Sequence, residues 1–262
     1  MPKIIRFHET GSADVLKIED LPLAEPGEGE VRLKVQAIIL NRAELMFRQG
    51  QYLEDPELPS RLGYEAAGIV DAVGPGSSDN HIGDRVSTIP AFSMGKYGVY
   101  GESAIVPNRA VAHYPDNLSA TEGASIWMQY LTAYGALIDI GQLKEGDTVV
   151  ITAASSTIGL AAIQITKAAG ALAIATTRGA DKKQFLLDAG ADEVIVTTRR
   201  TWLKKCWPAL QGKGLISSLT LSVGRCWRRL PMPLRPVRQF SNTVHYPLRR
   251  PSSLCSQRSR RV

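Results

Sequence analysis

Asp147-Thr148-Val149-Val150-Ile151-Thr152-Ala153-Ala154-Ser155-Ser156-Thr157-Ile158-Gly159 runs from an apolar segment into a turn built of small side chains. Residues 147–153 read as a buried strand and 157–169 as the helix that follows, opening on Leu160-Ala161-Ala162. A pyrophosphate reaches main-chain N–H groups at a helix N-terminus only where no bulky side chain intervenes, and a glycine at 159 lets helix and strand pack closely. Ala154, Ser155, Ser156, Thr157, Ile158 and Gly159 are therefore the candidate phosphate-binding residues. The turn is not a full G-x-G-x-x-G, so its context carries the reading.

That context is repeated strand and helix. Residues 171–176 read as a strand, 181–189 as a helix and 193–197 as a third strand, which makes βαβαβ, the half-unit of a doubly wound parallel sheet. Such folds place the ribose discriminator roughly 20 residues past the glycine turn. Here the second strand ends in Thr176-Thr177-Arg178, with Lys182 close behind and no acid at the strand end. A carboxylate accepts hydrogen bonds from the diol of NAD, whereas a guanidinium pairs with the 2′-phosphate of NADP, so Thr177, Arg178 and Lys182 favour NADP(H). The competing reading of Arg178 is a solvated surface residue.

Working toward the N-terminus, the pattern changes to short strands. Val31, Leu33, Val35 and Ala37 alternate with Arg32, Lys34 and Gln36, the period of a half-buried strand. Further strands are expected at 68–73 and 84–89, a short helix near 42–49 carries Arg42, Glu44 and Arg48 on a solvated face, and Gly74, Pro75, Gly76, Gly83 and Pro90 supply corners. From 119 a capped helix is expected to run through Ile126, Met128, Leu131 and Leu137. The expected organisation is an all-β domain over 1–118 and the first half of a nucleotide-binding sheet over 119–198.

Toward the C-terminus the composition breaks. The 31 Lys and Arg divide as 16 in 1–193 and 15 in 194–262, while all 25 acids lie in the first part, giving −9 against +15. The late stretch also holds Cys206, Cys226, Cys255 and prolines at 208, 231, 233, 236, 247 and 251, which break long helices and central strands. Only 215–223 looks strand-like. Two readings compete for 199–262: a basic arm whose Trp202, Trp207 and Trp227 stack nucleic-acid bases, and translation in a shifted frame. The second is preferred, because glutamate codons read one base later become lysine or arginine codons. It implies a chain of damaged sheet with little or no turnover.

At 262 residues and 44% hydrophobic side chains the chain can bury a core, which excludes a peptide, a coiled coil and wholesale disorder. No run of eighteen apolar residues is present, the first residues resemble neither a secretory nor a transit segment, and three cysteines close no disulfide framework. A cytoplasmic protein with no membrane partner is expected.

Gly63-Tyr64-Glu65-Ala66-Ala67-Gly68, Gly83-Asp84-Arg85-Val86, Leu131-Thr132-Ala133-Tyr134, the turn above, Ala161-Ala162-Ile163-Gln164, Ala169-Gly170-Ala171 and 186–192 occur in an order and spacing that resembles the medium-chain dehydrogenase/reductase superfamily. The similarity is to its zinc-independent quinone oxidoreductase branch and spans about residues 1–198. The resemblance implies a GroES-like β domain followed by a Rossmann domain, with the active site in the cleft between them and a homodimeric assembly. It also implies that Asn41, Tyr52 and Tyr64 line the substrate and nicotinamide cleft and that Thr132 lies by the nicotinamide. Where zinc members carry a cysteine and a histidine, this chain has Asn41 and Tyr64, so no metal site is expected and Glu65 is the one ligand type retained. His8, His81 and His113 read as isolated surface or core residues, and Phe92 and Met94 as a substrate wall or simple packing.

Without a Lewis acid, hydride delivery from NADPH to a quinone or α,β-unsaturated carbonyl is easier than alcohol oxidation, and hydrogen bonds from the cleft residues would stabilise the developing enolate. The alternatives are a non-catalytic NADPH- or RNA-binding protein like the lens crystallins of this branch, and a zinc-type alcohol dehydrogenase.

Overall fold

The computed structural model describes residues 1–77 and 79–197 and the main chain of 215–219. It divides the chain into two compact units, Met1–Gly135 and Ala136–Val262. The other residues of the basic stretch, with its three cysteines, lie outside the described residues.

The first unit opens on an antiparallel hairpin, β1 (Lys3–Phe7) and β2 (Leu16–Asp20). There follow β3 (Glu30–Ile39), α1 (Arg42–Arg48), β4 (Glu65–Val73), β5 (Arg85–Thr88), α2 (Met94–Tyr97), β6 (Ser103–Pro107), β7 (Val111–His113), α3 (Ala120–Ala124) and α4 (Trp127–Tyr134). Five of its strands form one antiparallel sheet in the order β6-β3-β4-β5-β7. The alternation expected in β3 holds with a twist. Val31 and Leu33 are fully buried and Val35 packs against the same core, but the register shifts between Val35 and Ala37 and moves Ala37 into a second cluster with Ala67, Tyr114 and Ala124. Arg32, expected on the wet face, is buried because Asp71 and Glu25 accept from its guanidinium at 2.8 and 2.9 Å.

The sequence predicts one continuous helix from 119; the chain instead makes α3, breaks at Ser125, and restarts as α4. Ser125 turns its hydroxyl back to donate to the Glu122 carbonyl at 2.8 Å, and the Glu65 carboxylate of β4 accepts the Met128 N–H at 2.7 Å. A side chain from a distant strand thus caps the second helix. Helix α3 packs on β3 and β4, and residues 119–135, the start of the stretch that the sequence assigns to the second domain, fall in the first unit.

A π-helical turn over Gly135–Ile140 leads toward β8 (Thr148–Ile151), α5 (Thr157–Ala168), β9 (Leu172–Thr177), α6 (Lys183–Asp188), β10 (Glu193–Val196) and β11 (Leu215–Leu219). All four strands are parallel and ordered β10-β9-β8-β11. The three expected strands and two helices stand in place, and the strand-like stretch at 215 pairs on the far side of β8 with a register shift between Leu215 and Ser217. Strand order therefore reverses at β8, the switch point outside which ligands bind in sheets of this kind. Among the described residues no helix is long and apolar enough to cross a membrane.

Candidate active site

The turn after β8 is tight. Ala153 sits at φ +50°, a left-handed conformation that costs a residue with a Cβ roughly 1–2 kcal/mol, and its carbonyl accepts the Ser156 N–H at 2.9 Å. Ser156 caps α5, its hydroxyl accepting the Gly159 N–H at 3.1 Å, which leaves Thr157 and Ile158 in the first helical turn without intrahelical acceptors. A Cβ on Gly159 would lie 2.5 Å from the Ala154 carbonyl oxygen and 2.6 Å from its Cα. Only glycine permits this approach, so the small-residue cradle read from the sequence is a close-packed structure. The first turn of a twelve-residue helix there suits an anion.

The candidate ribose residues gather at the end of β9. Thr177 is buried, its hydroxyl donating to the Gly179 carbonyl at 3.3 Å, and Arg178 follows it exposed. Lys182 reaches back to the phosphate turn, its Nζ 3.5 Å from Ser155 Oγ. Asp181, two residues on, lies so close to Gly179 that a Cβ there would collide with its Oδ1.

In the first unit the structure assembles a knot of buried carboxylates. Asn41 precedes α1 and donates its side-chain Nδ2 to Glu65 Oε2 at 2.9 Å and its main-chain N–H to Glu44 Oε2 at 2.8 Å, in a capping box with Glu44. Glu44 also accepts the Tyr64 N–H at 3.1 Å. Glu44 and Glu65 are 4% and 2% exposed, which corrects the reading of Glu44 as part of a solvated face. Burial pushes both carboxyls above the ordinary glutamate range, and their N–H donors offset part of that rise. Gly63 makes room here: at φ +105°, a Cβ would run into the Tyr100 ring, whose hydroxyl donates to the Ile39 carbonyl at 2.9 Å.

Tyr52 and Tyr64 lie side by side, ring centroids 6.2 Å apart, within an aromatic row that continues to Phe92 and Tyr97. Burial raises the Tyr64 phenol far above its usual value, and Tyr52, Glu54 and Glu44 add to the effect. It is a hydrogen-bond donor that keeps its proton. Met94 is fully buried core, while Phe92 packs against that core beside Tyr64. Thr132, on α4, donates its hydroxyl to the Met128 carbonyl at 2.6 Å. Three histidines have carboxylate neighbours: His8 meets Glu19, and His81 and His113 both face Asp84. Among the described residues no three His, Cys, Asp or Glu side chains gather so as to hold a metal ion.

The structure thus joins Asn41 to Glu65, Glu65 to the start of the helix bearing Thr132, and Tyr52 to Tyr64, while Ser155 meets Lys182 in the second unit. Glu65's link to Met128 and Glu44's link to Tyr64 escape a sequence reading, because those partners lie 63 and 20 residues away.

Residues 27–116 match the alcohol dehydrogenase GroES-like domain. Human quinone oxidoreductase is 34% identical over 214 residues, covering 81% of this chain and 64% of that protein. The solved Escherichia coli quinone oxidoreductase complexed with NADPH matches with a TM-score of 0.75 at 33% identity, over 85% of this chain and 67% of the other. A solved NAD-dependent alcohol dehydrogenase matches with a TM-score of 0.77 at 33% identity, over 82% and 69%. The chain spans 64% of the length of the curated quinone oxidoreductases from human, orangutan (Pongo abelii) and Pseudomonas aeruginosa.

Proposed function

We propose that this chain, which belongs to the quinone oxidoreductase-like branch of the medium-chain dehydrogenase/reductase superfamily, binds NADPH and reduces a quinone or α,β-unsaturated carbonyl without zinc. The observation that carries the proposal is the α5 start, where Gly159 is pressed on Ala154 and Lys182 stands 3.5 Å from Ser155. Main-chain N–H groups of Thr157 and Ile158 hold the pyrophosphate, and Arg178 and Lys182 supply the positive charge that a 2′-phosphate needs.

Bound NADPH supplies the hydride. Tyr64 donates a hydrogen bond to the acceptor oxygen and retains its proton, since burial raises its phenol out of the range for transfer near neutrality. Proton delivery to the product is left to solvent. Tyr52 packs beside Tyr64, their ring centroids 6.2 Å apart, and steadies it.

Asp181 supports a second reading, in which its carboxylate accepts the ribose diol and NADH is the cofactor, as the name of the NAD-dependent neighbour suggests. Fluorescence titration of the full chain separates the two. Arg178→Ala and Lys182→Ala are expected to weaken NADPH binding about tenfold each and to leave NADH binding nearly unchanged. Loss of NADH affinity in Asp181→Ala, with NADPH unaffected by the other two changes, would transfer the case to NADH. Stoichiometric NADPH consumption with a simple quinone distinguishes a reductase from a protein that only binds the dinucleotide.

A further inference from the structure

An amide side chain has a donor end and an acceptor end, and which end faces a ligand decides what it can recognise. At Asn41 that choice is made by its neighbours. The Glu65 carboxylate accepts Nδ2 at 2.9 Å on Oε2, and its Oε1 accepts the Met128 N–H at 2.7 Å. A carboxylate offers acceptors only, so the amino end of Asn41 must face inward. The capping box with Glu44 favours the same orientation, because it turns the Asn41 oxygen toward the Glu44 N–H. All these residues lie within the first unit.

We propose that Glu65 is a positioning residue that fixes the amide polarity of Asn41, so that a ligand at this residue meets the lone pair of the Asn41 oxygen that the Glu44 N–H leaves free. Asn41 is then not a donor to a developing enolate; that task falls to Tyr64, and the ligand group beside Asn41 is an N–H or O–H donor. The same carboxylate pins the start of α4, the helix that holds Thr132 four residues past Met128. The inference rests on the reading of Asn41 as a site residue.

Glu65→Gln tests it sharply. The amide introduced by that change keeps an oxygen for the fixed Met128 N–H, so its NH2 faces Asn41, and the Asn41 amide must turn over to avoid two opposed donors. Adding Asn41→Asp to Glu65→Gln restores an inward acceptor for that NH2 and an outward acceptor for the ligand. Asn41→Asp alone sets two carboxylates against each other.

The chain has five asparagines and five methionines, so selective 15N labelling of these two residue types resolves the Asn41 side-chain amide, assigned by its loss in Asn41→Asp, and the Met128 main-chain N–H. In Glu65→Gln the Asn41 amide resonances are expected to shift while the other four asparagines and the Met128 N–H stay in place. General unfolding would move them all. In quinone reduction, Glu65→Gln is expected to lower kcat about tenfold with the KM for NADPH within about twofold of the original, and the double variant to recover most of the lost kcat. An unmoved Asn41 amide in Glu65→Gln, or a double variant whose loss is the product of the single losses, overturns the proposal. If the parent chain turns over no quinone, the function reading fails, and the amide resonances still decide the polarity of Asn41.

Discussion

A methyl group at residue 159 would collide with the Ala154 main chain at 2.5–2.7 Å, and main chain cannot step aside as a flexible side chain can. Gly159→Ala is therefore expected to weaken NADPH binding by at least about tenfold and to lower the unfolding midpoint of the chain. At Ala153 the opposite change helps. Its φ of +50° suits glycine, so Ala153→Gly is expected to raise stability in denaturant titration by about 0.5–1 kcal/mol, after the added freedom of the unfolded chain is discounted. The crowded turn is legible in the sequence because small side chains are themselves the signal. The left-handed Ala153 is not, since alanine carries no mark of that conformation. Glu44 reads as solvated because its helix neighbours Arg42 and Arg48 are charged. What buries it is the N–H of Tyr64, twenty residues on.

At the scale of elements, Asp192 ties the second unit together. It accepts from Lys167 of α5 at 2.6 Å and from the Ala173 N–H of β9 at 2.7 Å, just before β10 begins. Partial burial works to raise its pKa, but these donors prevail and hold the carboxyl below the usual aspartate range. A carboxyl with a depressed folded-state pKa stabilises above its unfolded value of about 4, and that stabilisation disappears as pH falls through the lower folded value. Asp192→Asn should cost about 1 kcal/mol near neutral pH, a modest figure because the pair is partly exposed and screened. The deficit should vanish in acid, as measured by denaturant titration from about pH 3 to 7. Glu44 and Glu65 carry the opposite sign: their raised values contribute stability below the unfolded glutamate range that is lost as pH rises through the folded values. The βαβαβ pattern is legible because parallel strands buried on both faces leave continuous apolar runs. The break between α3 and α4 is not, since Ser125 is compatible with a helix and its disruption depends on Glu65 from another strand.

For the whole molecule, the charge division remains its most unusual sequence feature. Every carboxylate side chain lies in the first 193 residues, and the later +15 stretch contains none. We propose that this stretch is read out of frame, so that quinone turnover by this chain falls below that of the in-frame protein while the dinucleotide turn is kept. Reading the coding DNA in its other two frames should recover a glycine- and proline-punctuated βαβ continuation; stop codons in both would favour a genuine basic arm. Either way, the phosphate turn and Arg178 lie upstream of that division. The decisive measurement is equilibrium binding of NADPH and of NADH to the full purified chain, side by side at one salt concentration. The account predicts NADPH binding about tenfold tighter than NADH binding, with the preference abolished in Arg178→Ala. Absence of binding, or equal affinity for the two dinucleotides, would contradict it.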